Sequence, residues 1–411
     1  MRRLRSRVTH TVGFAVLLLL TGSMAVASQS IELGARPGEL INTLPQGSLR
    51  SKLESCAANP PGRSLFSIGH RGAPLKFPEH TRESYIAAAE MGAGIIECDV
   101  TFTADKTLVC RHSQCDLHTT TNILQTPLAA QCSTPPDFSS NTPFKNVKCC
   151  TSDITIAEFQ TLRGKVDSGN KKAKTLQEYL SLSGTPKAAL QGVTGTLMTH
   201  RESIELFRDL GVKVIPELKK PQVSMPFEGD FTQEQFAQAL VDEYKNARID
   251  PADVFLQSFN LNDVHYWLRE EPEFGGQAAW LDSRYRDKSF SPANKETFTP
   301  SMAELAESGV KIIAPPLWML LSLNDEKRIV PSVYAIEAKA AGLDIIVWTL
   351  ERSGSLKNGG GWYYQSIKEA ISNEGDIYAA LDVLAQQVEI RGAFSDWPAT
   401  TTYYANCMGI Q

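Results

Sequence analysis

The chain has 411 residues, of which 42% are hydrophobic and 21% charged, and its formal net charge is −5. That is enough apolar material for one large buried core. The mildly acidic balance leaves no footprint for nucleic acid or another polyanion, and no basic amphipathic stretch marks a membrane surface.

Residues 1–27 open with Met1-Arg-Arg-Leu-Arg-Ser-Arg7, continue through an apolar run from Val12 to Leu20 and close on Ala25-Val-Ala27. A basic start, a short apolar centre and small residues before a cut read as a secretory signal peptide. The run falls short of the roughly 20 residues that span a bilayer, so a secreted or periplasmic protein without stable membrane insertion is expected. Residues 28–63 carry Pro37, Pro45, Pro60 and Pro61 with little periodicity and read as an extended N-terminal arm.

The next fifty residues organise the chain. Ser67-Ile-Gly-His70-Arg71-Gly-Ala73 is followed by Pro78-Glu79-His80-Thr81, by Ile95-Ile-Glu97-Cys-Asp99-Val100, and by Leu108-Val-Cys-Arg-His112. Short apolar runs of this kind are buried parallel strands, with a helix expected over 81–91 that stops at Gly92. Strands are expected over 65–69, 94–100 and 107–111, so His70 and His112 stand at strand ends. Period-two alternation puts Glu97 and Asp99 on one face, where they suit a hard divalent cation. Two histidines, two carboxylates and an arginine at neighbouring strand ends are the parts for metal-assisted phosphoester chemistry. Taken singly, each is as well read as a solvated charge or a satisfied core histidine.

Residues 113–195 break the pattern. They are rich in Pro, Ser, Asn and Cys, with helical pieces over 154–163 and 175–182, and read as a cap over the site. Eight cysteines fit an oxidising compartment. Cys115, Cys132, Cys149 and Cys150 are the expected disulfide formers in the cap, in an open connectivity, and Cys56 with Cys407 can join the termini. Cys98 is expected to face the helix layer and Cys110 the barrel side, leaving at least one free buried thiol.

Helix and strand then alternate again, with strands over 212–219, 254–259, 277–281, 310–314, 344–349 and 392–396. Glu217 and Lys219 share a face, so Glu217 completes a three-carboxylate cation site and Lys219 meets a phosphate oxygen. Residues 401–411 read as a C-terminal tail. Repeated βα units argue for a single α/β (β/α)8 TIM barrel over residues 64–400. There are nine strand candidates for eight places, so one is peripheral.

The block from His70 to His112 resembles the signature of the glycerophosphodiester phosphodiesterase family, within the phospholipase C-like phosphodiesterase barrels. Ile215-Pro-Glu-Leu-Lys219, Leu256-Gln-Ser-Phe259, Val347-Trp-Thr349 and Phe394-Ser-Asp-Trp-Pro398 extend the likeness. His80 stands where the family has asparagine, Ser113 where it has aspartate, and Leu350-Glu351 where asparagine often follows the Trp-Thr pair. The resemblance implies the barrel, the parallel pairing of the closely spaced second and third strands, and hydrolysis of a glycerophosphodiester to glycerol 3-phosphate and an alcohol. Attack by the glycerol 2-hydroxyl through a cyclic phosphate is part of what it implies.

The phosphodiester's shared negative charge accounts for the rest. A cation (Ca²⁺ or Mg²⁺) held by Glu97, Asp99 and Glu217 neutralises that charge, and Arg71 and Lys219 add fixed positive charge. His70 and His112 serve as general acid and base, in an order left open. Glu79 orients Arg71 or the cation's surroundings, and Gln257, Phe259 and Trp348 line the alcohol pocket. Two other readings stand beside this one: a phospholipase D-like enzyme acting on sphingomyelin or lysophospholipids, and a non-catalytic extracellular binding protein on the same fold.

Overall fold

The computed structural model describes residues 30–410 apart from 186 and 353; the signal peptide expected at 1–27 lies outside them. Thirteen strands occur among the described residues: β1 Ser64–Gly69, β2 Ala93–Phe102, β3 Leu108–Cys110, β4 Arg163–Lys165, β5 Thr194–Thr196, β6 Lys213–Leu218, β7 Gln257–Ser258, β8 Ala279–Leu281, β9 Ile312–Ala314, β10 Leu321–Leu323, β11 Ile329–Pro331, β12 Asp344–Val347 and β13 Gly392–Ser395. Eight of them pair in parallel in the order β1-β2-β6-β7-β8-β9-β12-β13, and β13 returns to β1. This is a closed (β/α)8 barrel. Its interior is filled by Ile68, Ile95, Ile215, Phe255, Ile312 and Phe394 among others. A larger apolar layer joins the strands' outer faces to the surrounding helices.

The ninth strand of the main sheet corrects the expected parallel pairing. β3 runs antiparallel to β2, with Val100 opposite Cys110 and Phe102 opposite Leu108. Only residues 103–107 link the two strands, and so short a link makes a hairpin, whereas a parallel neighbour needs a crossover of a dozen residues or more. β3 takes the edge of β2 that β1 leaves: β1 pairs with β2 only up to Ile96. The barrel strand that ends at His70 and the hairpin strand that leads to His112 therefore approach one place from opposite directions.

The same register corrects the free-thiol expectation. Residues 98, 100 and 102 share one face of β2, and antiparallel pairing puts Cys110 on that face beside Val100. Cys98 and Cys110 are disulfide-bonded, and no cysteine is free. Within the cap, Cys115 pairs with Cys150 and Cys132 with Cys149. These bridges hold a small core of its own, including Leu117, Phe144, Phe159 and Tyr179, beside the two-stranded β4–β5 ribbon.

The segment read as an extended arm contains two helices, Arg36–Thr43 and Ser48–Ser55. Pro37 suits the first helical turn, and Leu40, Ile41 and Leu53 are buried in the main core. Helices this short hold only by packing, which is why periodicity alone does not reveal them. The tail is also helical: Ala399–Met408 packs on β1 through Thr401 and Thr402, and Cys407 is bonded to Cys56.

Candidate active site

Three carboxylates meet at one end of the barrel because of a single register. β2 and β6 pair with Asp99 opposite Glu217, and Glu97 lies two residues earlier on the same inward face. One oxygen of each lies within 4.8 Å of the others, and all three residues are buried. Burial and the neighbouring Asp99 and Glu217 hold Glu97 well above the usual carboxylate range. Burial, only partly offset by Lys219, pushes Glu217 up to about 7. Asp99 goes the other way, because Lys219 and His80 outweigh its burial. Its Oδ1 is buried with no hydrogen-bond partner. A crowded, all-oxygen donor set with an orphaned lone pair fits a hard divalent cation. Lys219 Nζ lies 2.7 Å from Glu217 Oε1.

Both histidines line one cavity of about 550 Å³ with Arg71, Glu97, Glu217, Lys219, Phe259 and Trp348. His70 follows β1, and its Nδ1 is 2.5 Å from Asp396 Oδ1. Its Nε2 lies 3.8 Å from Glu97 Oε2. Burial pulls His70 down to about 4 against the pull of Asp396. Burial, Arg71 and Lys219 likewise hold His112 well below the usual imidazole range.

Arg71 sits in the left-handed region (φ 59°), and Gly72 after it has φ 91°. A Cβ on Gly72 would stand 2.7 Å from the carbonyl carbon of Ser84, so the His-Arg-Gly turn needs glycine there. The turn aims the Arg71 backbone N–H at Glu97 Oε2 (3.0 Å). Its guanidinium donates to both oxygens of Glu79 at 3.1 and 3.0 Å. Glu79 does not line the cavity; it holds Arg71 from behind. Gln257 is also behind, fully buried, donating to Glu97 Oε1 at 2.9 Å. Phe259 and Trp348 do line the cavity, edge to face at 5.9 Å.

Three further residues of the site do not stand out in the sequence. Asp396 fixes His70, as above. Arg352 joins the two carboxylates that serve His70 and Arg71: its Nη1 is 3.2 Å from Glu79 Oε2 and its Nε 3.0 Å from Asp396 Oδ2. His80, noticed only as a departure from the family, is fully buried between Tyr85 and Asp99, each 2.9 Å away. The sequence signals were Asp396 one residue past a strand, and a histidine in place of an asparagine nineteen residues before Asp99. A second donor group, Glu79, His112 and the cap's Asp116, also comes within 4.8 Å. Glu79 there is already neutralised by Arg71 and Arg352, so that group does not fit a cation.

Among the described residues no helix is long and apolar enough to cross a membrane. The sequence profile of the Glycerophosphoryl diester phosphodiesterase family matches residues 70–400. An "Extracellular protein" of Arthroderma benhamiae is 44% identical over 251 residues, which are 60% of this chain and all of that protein. The Glycerophosphodiester phosphodiesterase GDPDL6 of Arabidopsis thaliana is 27% identical over 186 residues, 42% of this chain and 23% of that protein. A crystal structure from Silicibacter pomeroyi, named for the same family, superposes with a TM-score of 0.53 at 18% identity. It covers 87% of this chain and 98% of its own, and the likeness is one of fold. With 331 of its residues inside the matched span, from His70 to Thr400, the chain belongs to the glycerophosphoryl diester phosphodiesterase family.

Proposed function

We propose that this protein is a secreted, divalent-cation-dependent phosphodiesterase that hydrolyses glycerophosphodiesters to glycerol 3-phosphate and an alcohol. The observation that carries the proposal is the meeting of His70, His112, Arg71, Lys219 and the carboxylates Glu97 and Glu217 around one cavity. Glu97, Asp99 and Glu217 would hold the cation, Ca²⁺ or Mg²⁺. When bound, it supplies Lewis-acid neutralisation of charge on the phosphoryl oxygens.

The chain's own groups do the rest. Arg71, held by Glu79, and Lys219 bind the non-bridging oxygens and stabilise the charge that builds on them. The Asp396 contact keeps the Nδ1 proton of His70 in place, so Nε2 carries the free lone pair and faces the cavity. A neutral imidazole with its other nitrogen on a carboxylate suits a general base for the attacking hydroxyl. His112 takes the complementary role and protonates the leaving alkoxide, for which it must first take up a proton against the burial and the Arg71 and Lys219 charges that hold its proton affinity low. Phe259 and Trp348 exclude water from one side of the substrate. Four disulfides and the leader read from residues 1–27 support secretion.

The test is coupled detection of glycerol 3-phosphate from a panel of glycerophosphodiesters, with lysophosphatidylcholine and sphingomyelin alongside. Turnover of the former, abolished by a chelator and by His70→Ala and Glu97→Ala, is the expected result. Turnover of only the lipids would favour the phospholipase D-like reading. No turnover with or without cation would favour a binder.

A further inference from the structure

The cavity has two halves of different chemistry. Its floor is ionic and buried; its outer half is walled by Phe259, Tyr285, Trp348 and Tyr363. Aromatic walls are usual receptors for quaternary ammonium groups, and on that ground alone a choline headgroup would be the natural occupant. The charges argue otherwise. Besides Arg71 and Lys219, the lining includes Lys220 and Arg286, both exposed at the mouth. The lining carboxylates, Glu97 and Glu217, belong to the cation site on the floor. Among the described residues neither Lys220 nor Arg286 has an ion-pair partner. The guanidinium of Arg286 lies 5.4 Å from the ring centre of Phe259 and 5.8 Å from that of Tyr285. Two aromatic faces are thus already occupied by a cation of the chain's own.

Resting on the function proposed above, we infer that the outer half of this cavity selects a hydroxyl-rich, neutral or anionic alcohol (a cyclitol or a glycerol) and discriminates against quaternary ammonium headgroups. The phosphoryl group is bound at the buried floor, so the alcohol extends toward Lys220 and Arg286. Both side chains are donors with no acceptor. They find partners in hydroxyl or phosphate oxygens and repel a fixed positive charge, whereas Trp348 can pack on the C–H face of a ring. Lys220 and Arg286 are therefore specificity-determining residues for a reaction carried out by others.

The test uses the full chain with its cation and measures kcat/KM for glycerophosphoinositol, glycerophosphoglycerol and glycerophosphocholine at low and high salt. The inositol or glycerol diester is expected to exceed the choline diester by about five- to tenfold at low salt, the scale of one like-charge contact near a protein surface. The ratio should narrow at high salt. The double variant Lys220→Glu, Arg286→Glu should turn preference toward choline, with an unchanged melting temperature as the folding control. A choline diester turned over as well as the others, or a ratio unmoved by charge reversal, overturns this inference while leaving the proposed function standing. Absence of turnover with every glycerophosphodiester overturns both.

Discussion

His70 Nδ1 and Asp396 Oδ1 lie 2.5 Å apart although the two residues are 326 positions apart in the chain. β1 and β13 are neighbours at the barrel's closure, with Gly69 opposite Ser395, so each strand's next residue meets the other's. In the proposed mechanism the contact fixes the tautomer of His70 and stabilises the imidazolium that would form when it takes a proton. Asp396→Asn should lower kcat by about 10²–10⁴-fold, the usual worth of a positioned acid–base group, with little change in KM. Near-parental turnover in the variant would sink the base assignment.

Arg352 lowers the proton affinity of His70. Removing it as Arg352→Gln takes a positive charge from beside the ring, so the imidazolium becomes easier to form and the His70 pKa rises from about 4. A base must be unprotonated to work, so the acidic limb of the kcat/KM profile should move to higher pH. A shift toward lower pH, or none, would contradict this geometry.

Cation affinity should depend on pH through Glu217 and Glu97. Both have raised affinities for protons in the folded, cation-free chain, Glu217 to about 7. A carboxyl raised in this way stabilises the fold below its unfolded pKa, and that contribution is lost as pH climbs through the folded value. A cation replaces the proton and restores what was lost. The rise in melting temperature on adding Ca²⁺ or Mg²⁺ should therefore be largest above pH 7 and shrink toward pH 5. A cation effect independent of pH would mean that these carboxyls do not bind it.

The disulfides should divide into two kinds. Cys56–Cys407 closes a separation of 351 residues and Cys98–Cys110 one of only 12. In the chain-entropy account their loss costs about 6 and about 3 kcal/mol respectively. Only the shorter one ties the strand of Glu97 and Asp99 to the hairpin that carries His112. Paired serine substitutions at 56 and 407 should lower the melting temperature more, and those at 98 and 110 should lower kcat more. Differential scanning calorimetry beside steady-state kinetics reads both; equal effects on kcat would remove the special standing of the shorter bridge.

Much of the barrel was legible because buried parallel strands are short apolar runs and period two assigns their faces. Glu97, Asp99 and Glu217 fall on inward faces for that reason alone. What stayed hidden depended on who lies beside whom. The direction of β3 was in fact signalled by its five-residue link, but the family likeness pointed to a parallel pair, and the fate of Cys98 and Cys110 followed from that choice. The Asp396–His70 contact needs the barrel to be closed before it can be seen. Arg352 bridges two carboxylates that only the tertiary fold brings within one side chain's reach. The helices at 36–43 and 48–55 are too short to announce themselves without the core they pack on.

The covalent tie between residues 56 and 407 also changes what a protease can accomplish. A cut in any exposed loop between them severs the backbone yet leaves both pieces on one molecule. A nick at the cap's tip, near Phe138, is bridged again by Cys115–Cys150 and Cys132–Cys149. A chain clipped in this way would thus hold its pieces together until a reductant reached it.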